Sequence, residues 1–191
     1  MSSSDSPEKG SAESLAHELL KSRTILVAGE VNERLAERTI AKLLVLDGRS
    51  HEPIRVVLSS PGGHVESGFA IHDVMQFVES PITTIGAGWV ASIAVPILFA
   101  APRESRVALP NTRFLIHQPW SSFSSGQASD ISIVAKELIK LRERLNAMIA
   151  EETRQDIEKV RRDSDRDFWL TAEEALGYGL ISRIVTSASE L

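Results

Sequence analysis

Three short apolar runs, at residues 24–28 (TILVA), 54–58 (IRVVL) and 82–85 (ITTI), alternate with two segments whose apolar residues recur at helical spacing. Leu35, Ile40, Leu43, Leu44 and Leu46 precede Gly48, and Phe69, Ile71, Val74, Met75 and Val78 precede Pro81. Each short run is too brief for a helix and apolar enough for a buried strand. Strands separated by helices require right-handed βαβ crossovers and a mostly parallel sheet, so the chain is predicted to be an α/β protein. Aromatic residues are only 5% of the 191, so the core between sheet and helices rests on Val, Ile, Leu and Ala.

Residues 81–102 carry no charged side chain, a stretch long enough to raise the question of a membrane span. Gly86, Gly88 and Pro96 interrupt it, and a buried strand, a sharp turn and a buried helix over 91–100 account for it better. Residues 106–109 and 113–116 read as two more strands around a Pro-Asn turn, and a Ser-rich loop spans 121–126. From Gln127 to Glu152, Ile131, Val134, Leu138, Leu141, Leu145 and Met148 recur every three or four residues among many charges. A helix of that length and charge projects from a small domain and lays its stripe on a partner copy. Thr171 and Glu174 form a capping box for a last helix, which stops at Gly177-Tyr178-Gly179 before a strand over 180–185.

The net charge of −5 offers no basic footprint for nucleic acid and none for an anionic membrane surface. With no cysteine, a disulfide framework, a thiol nucleophile and a Cys-based metal site are excluded, as suits a reducing, cytoplasmic setting. No pair of histidines has ligand spacing beside carboxylates, so no metal is expected. Residues 1–21 read as a flexible, Ser-rich tail without the apolar core of a secretory signal, and 22–191 as a single domain.

Four places could carry chemistry, and each has a plainer explanation. Ser60-Pro61-Gly62-Gly63 lies between a strand and a helix, where glycines free backbone N–H groups to face a ligand. A tight turn explains them as readily as an oxyanion hole or a peptide-binding edge; no phosphate-loop pattern is present. Ser92, within Gly88-Trp89-Val90-Ala91-Ser92-Ile93, starts an apolar helix and would by itself be a small packing residue. His117 ends the apolar run Phe114-Leu115-Ile116 and is either a packed strand-end residue or a base facing a cleft. In Asp163-Ser164-Asp165-Arg166-Asp167, solvated charge is the ordinary account, but Asp167 directly precedes an apolar run. It is therefore the acid expected to turn inward and orient an imidazole.

In this order and spacing the segments resemble the proteolytic subunits of the Clp protease family. The resemblance rests on Ser-Pro-Gly-Gly at 60–63, Gly-x-x-Ala-Ser at 88–92, Leu-Pro-Asn-x-Arg and Ile-His-Gln-Pro within 109–119, and Gly-Gln-Ala-x-Asp-Ile at 126–131. Asp-x-Asp-Arg-Asp at 163–167 and the segment from Glu174 to Leu180 complete it. It implies a crotonase-like fold whose protruding handle covers about 118–152. It further implies a Ser92–His117–Asp167 triad, with Gly63 and Ile93 supplying the oxyanion-hole N–H groups. Asp165 and Arg166 would pair between two stacked heptameric rings enclosing a chamber. An AAA+ unfoldase would spend ATP to feed in unfolded polypeptides, and the chain itself would need no cofactor.

Several residues depart from the family pattern. Ser59 replaces a common Asn, Trp89 and Val90 replace smaller or more polar residues, and Ile93 replaces a common Met. Arg55 and Val57 stand on the 54–58 strand where the family often has unfoldase-docking aromatics. These leave the chemistry intact and point to an unusual unfoldase or to a mixed ring with a paralogous subunit. An acyl-CoA enzyme of the same superfamily needs no Ser nucleophile. A Ser–Lys membrane peptidase would need a lysine and an anchor. A non-catalytic or activator-dependent ring subunit remains the principal alternative.

Overall fold

A computed structural model describes residue 15, residues 17–119 and residues 127–191, so the predicted Ser-rich loop and most of the predicted tail lie outside the described residues. β1 (Thr24–Ala28), β2 (Ile54–Ser60) and β3 (Ile82–Ala91) pair in parallel. β4 (Arg106–Ala108) pairs with the first half of β3 and β5 (Arg113–Ile116) with its second half, both in parallel. β7 (Arg183–Ile184) extends the β4 edge, and β6 (Phe168–Leu170) runs antiparallel to β5. The sheet is thus mostly parallel, as the alternation predicts.

The helices between these strands follow from local sequence. α1 (Glu33–Arg49) starts where the Asn32 side chain accepts the Leu35 N–H at 2.9 Å, and it buries Ala36, Thr39, Leu43 and Leu46 on one face. α2 (Val65–Phe77) follows the Gly-Gly turn, and α3 (Ala94–Phe99) is buried along its whole length. Burial of α3 on all sides and of most of β3 accounts for much of the lack of charge over residues 81–102, although Gly88 and Trp89 are exposed; among the described residues no helix is long and apolar enough to cross a membrane. α4 (Ala128–Thr153) has 26 residues and is therefore roughly 39 Å long. Its Leu141, Leu145, Met148 and Ile149 pack on the core, whereas Ile131, Ile133 and Ile139 are exposed. α5 (Ile157–Asp163) and α6 (Ala172–Tyr178) complete the fold, the latter with both hydrogen bonds of the Thr171–Glu174 capping box.

Three expectations about element bounds need correction. β3 continues to Ala91 because the chain after Gly86 and Gly88 is held extended by pairing with β5, and the helix expected from residue 91 begins only at Ala94. The last strand is two residues long, shorter than the 180–185 read from its apolar run: only Arg183 and Ile184 are in ladder register with β4, while the flanking Ser182 and Val185 N–H groups donate to the Arg106 and Ala108 carbonyls. β2 extends two residues past Leu58, through Ser59 and Ser60.

A polar knot ties the far end of this sheet. Arg23 donates to the carbonyls of Leu46, Ser50 and Glu52 and to Ser80 Oγ, at 2.6–3.1 Å. Asp47 Oδ1 accepts from the Ser80 hydroxyl at 2.7 Å and the Ser80 N–H at 2.9 Å. The Ser80 hydroxyl bond is the main reason the Asp47 carboxyl is pushed down to about 2. A depressed carboxyl contributes stability that is present above its unfolded value of about 3.9 and is lost as pH falls toward the folded one. Asp47→Ala is therefore expected to lower the Tm at pH 6, and the gap to wild type is expected to close between pH 4 and 2. Thermal melts across that range check it; a gap independent of pH would rule out the ionised carboxylate as its source.

Candidate active site

Strand pairing alone assembles the three candidate side chains. β3 ends at Ala91, and the next residue, Ser92, sits at φ +57° with its N–H donating to the Leu115 carbonyl at 2.9 Å. That left-handed conformation is strained for a residue with a Cβ, typically by 1–2 kcal/mol, and here it ends the strand sharply, two residues before α3. His117 follows β5 directly. The antiparallel register places Ile116 opposite Phe168, which brings His117 level with Asp167.

His117 Nε2 lies 2.9 Å from Ser92 Oγ, and its Nδ1 lies 3.1 Å from Asp167 Oδ1. A carboxylate can only accept, so Nδ1 carries the proton in this pair and Nε2 is left to accept from the Ser92 hydroxyl. The imidazole is largely covered, at 20% exposure, but the Asp167 side chain is 65% exposed. The expectation that Asp167 turns inward is thus not met within this chain. It precedes a three-residue strand that pairs only with β5 among the described residues, at the sheet's edge.

The glycine turn packs on Ser92. At Gly62, φ +91°, an added Cβ would come within 2.6 Å of Ser92 Cβ and 2.7 Å of the Ala91 carbonyl oxygen. Gly63, φ +144°, lies equally tight against the Val31 carbonyl. The turn is pinned by Val31 N–H to Gly62 O and His64 N–H to Val31 O, both 2.8 Å. The N–H groups of Gly63 and Ile93 donate no hydrogen bond among the described residues. Beside Ser92 and His117, Val65, Pro96, Ile116 and Leu145 line an apolar hollow of about 30 Å³, space for about one water.

Asp165 and Arg166 are exposed, and Asp165 meets Arg142 of its own chain at 3.4 Å. The other histidines stand apart: His64 pairs with Ser67 Oγ at 2.8 Å, and buried His72 pairs with Asp73 at 2.9 Å. Among the described residues no cluster of His, Asp or Glu could hold a metal. Sequence reasoning missed how the chain after His117 is anchored. Gln118 donates its N–H to the Ser164 carbonyl at 2.9 Å and its side-chain amide to the Asp165 carbonyl at 2.8 Å. The one signal available was Asn146, a polar residue embedded in the apolar stripe of α4.

A Clp protease family profile matches residues 7–188. The chain is 53% identical over 173 residues to "ATP-dependent Clp protease proteolytic subunit 3" of Rhizobium etli, covering 91% of this chain and 89% of that one. It is 45% identical to "ATP-dependent Clp protease proteolytic subunit 2" of Pseudomonas aeruginosa, with coverages of 90% and 85%. Among solved structures, a ClpP1 point mutant from Listeria monocytogenes superposes with a TM-score of 0.85 at 43% identity, covering 92% of this chain and 98% of that one.

Proposed function

The chain belongs to the Clp protease family, as a serine-peptidase proteolytic subunit, and from that premise we propose that Ser92 is its nucleophile, His117 its general base and Asp167 the group that orients His117. One observation carries the assignment: His117 bridges Ser92 Oγ and Asp167 Oδ1, at 2.9 and 3.1 Å, from three different parts of the sheet. A serine hydroxyl is a weak nucleophile until a hydrogen-bonded imidazole takes its proton. His117 takes the Ser92 proton as Oγ adds to the scissile carbonyl carbon. The resulting oxyanion is received by the Gly63 and Ile93 N–H groups. His117 then returns the proton to the departing amine, leaving an acyl group on Ser92 that water, activated by the same imidazole, releases. The apolar hollow beside Ser92 supports an apolar side chain next to the scissile bond; its small volume requires the walls to open for entry.

Residues 22–191 act as one peptidase domain, with residues 118–152 as its handle. Two heptameric rings stack through Asp165 and Arg166, with a paralogous subunit as a further ring member. Exposure of both residues, and of Ile131, Ile133 and Ile139 on α4, supports contact with further copies. Unfolded polypeptides reach the chamber from a cytoplasmic AAA+ unfoldase that spends the ATP, and this chain uses no cofactor. A non-catalytic subunit is the weaker reading, since such subunits usually lose a triad member and none is missing here.

Intact mass after fluorophosphonate treatment tests the assignment. One adduct per chain, mapped to Ser92, is expected; assembled protein that takes up none overturns it. Asp167→Asn keeps the contact but no longer holds the proton on Nδ1. It is expected to reduce kcat on a fluorogenic peptide by about 10²- to 10⁴-fold. Unchanged kcat would remove Asp167 from the triad.

A further inference from the structure

Asn146 stands on the core-facing side of α4 beside Leu145 and Ile149, and only 2% of it is exposed. Its Oδ1 accepts from the Ser164 hydroxyl at 2.8 Å, inside the protein. Its Nδ2 is buried and has no partner among the described residues. A leucine, which branches at the same Cγ with the same number of heavy atoms, would bury apolar surface there without leaving an amide unsatisfied, so packing alone does not favour asparagine. Ser164 is itself 1% exposed and closes α5, its N–H donating to the Val160 carbonyl at 2.9 Å.

The Ser164 carbonyl faces the other way and accepts the Gln118 N–H at 2.9 Å. β5 has ended at Ile116, opposite Phe168, so among the described residues no ladder pair holds the chain beyond His117. The bonds from Gln118 to the Ser164 and Asp165 carbonyls are what fix it there. A line of contact therefore runs from Asn146 through Ser164 and Gln118 to His117. Sub-ångström placement of a base matters, because a misplacement of about 1 Å can cost roughly 10²-fold in rate.

We propose that Asn146, acting through Ser164 and Gln118, is a positioning residue that sets His117 against Ser92. The inference rests on His117 being the base. Its test uses the full-length, assembled protein, comparing wild type with Ser164→Ala, Ser164→Thr and the double variant Asn146→Leu with Ser164→Ala. The double variant removes donor and acceptor together and fills the space, so its Tm should stay within a few degrees of wild type. Its kcat on a fluorogenic peptide, and its rate of fluorophosphonate labelling, are expected to fall about 10- to 100-fold with KM within about twofold. Ser164→Ala should show the same split, whereas Ser164→Thr, which keeps the hydroxyl, should recover most of the rate.

Labelling of the double variant at the wild-type rate would overturn the proposal while leaving the triad untouched. So would a kcat loss in each variant that merely follows its loss of Tm. A wild type that takes up no label at all would remove the reading beneath it. The two failures are therefore told apart by the wild-type lane.

Discussion

Ser92→Ala is expected to lower peptide hydrolysis by about 10⁴- to 10⁶-fold while leaving the fold intact. In the proposed assignment the hydroxyl supplies the attacking atom, and no cysteine exists in the chain to substitute for it. Its removal gives up the hydrogen bond to His117 Nε2 but leaves the backbone N–H bond to the Leu115 carbonyl that holds Ser92 in place. The Tm is therefore expected to change little, and the left-handed backbone at φ +57° is kept by the alanine. Steady-state hydrolysis of a fluorogenic peptide together with a thermal melt measures both. Residual activity within 100-fold of wild type would mean that another group is the nucleophile.

Gly62→Ala is expected to be nearly as damaging, for a steric reason. The new Cβ would meet Ser92 Cβ at 2.6 Å and the Ala91 carbonyl oxygen at 2.7 Å, and the position also requires φ +91°. One of those neighbours is backbone in the strand that presents Ser92, so relief comes only by moving β3 away from the glycine turn. Both Ser92 and the adjoining Gly63 N–H would shift, and a loss of at least 10²-fold in kcat is expected. Destabilisation of about 1–3 kcal/mol should accompany it. Gly48→Ala and Gly177→Ala are the matched controls. Both glycines lie inside helices with nothing within 4 Å of an added Cβ, so the same change is expected to be neutral or to stabilise by about 0.5–1 kcal/mol. Peptide hydrolysis and denaturant titration of the three variants decide it, and a Gly62→Ala enzyme of normal kcat would refute the crowding argument.

Much of this protein is legible before folding, because much of it is local. The alternation of apolar runs with helical periods in the first hundred residues determined the parallel sheet and its crossovers. The Thr171–Glu174 spacing determined a capped helix, and the stripe of α4 its length; that its first half is exposed while its second half packs on the core of the same chain was decided by the fold. The segments around Ser92, His117 and Asp167 could be singled out only together, because their order and spacing resemble the family's motifs while each alone has a plainer explanation.

Other features depend on pairing between distant segments, which periodicity does not encode. Residues 117 and 167 are 50 positions apart, and only the β5–β6 register sets them level. The length of β3 depends on whether β5 arrives to pair with it, so its apolar and glycine content alone placed its end too early. Asp167 was expected inside, since an acid before an apolar run has a local reason to turn in. Its 65% exposure accompanies its position before the edge strand of the sheet, which pairs only with β5 among the described residues. The anchoring of His117 by Gln118, Ser164 and Asn146 joins three segments remote in sequence. It was decided by tertiary structure alone, because a hydrogen bond between buried side chains forms only after packing has brought donor and acceptor together.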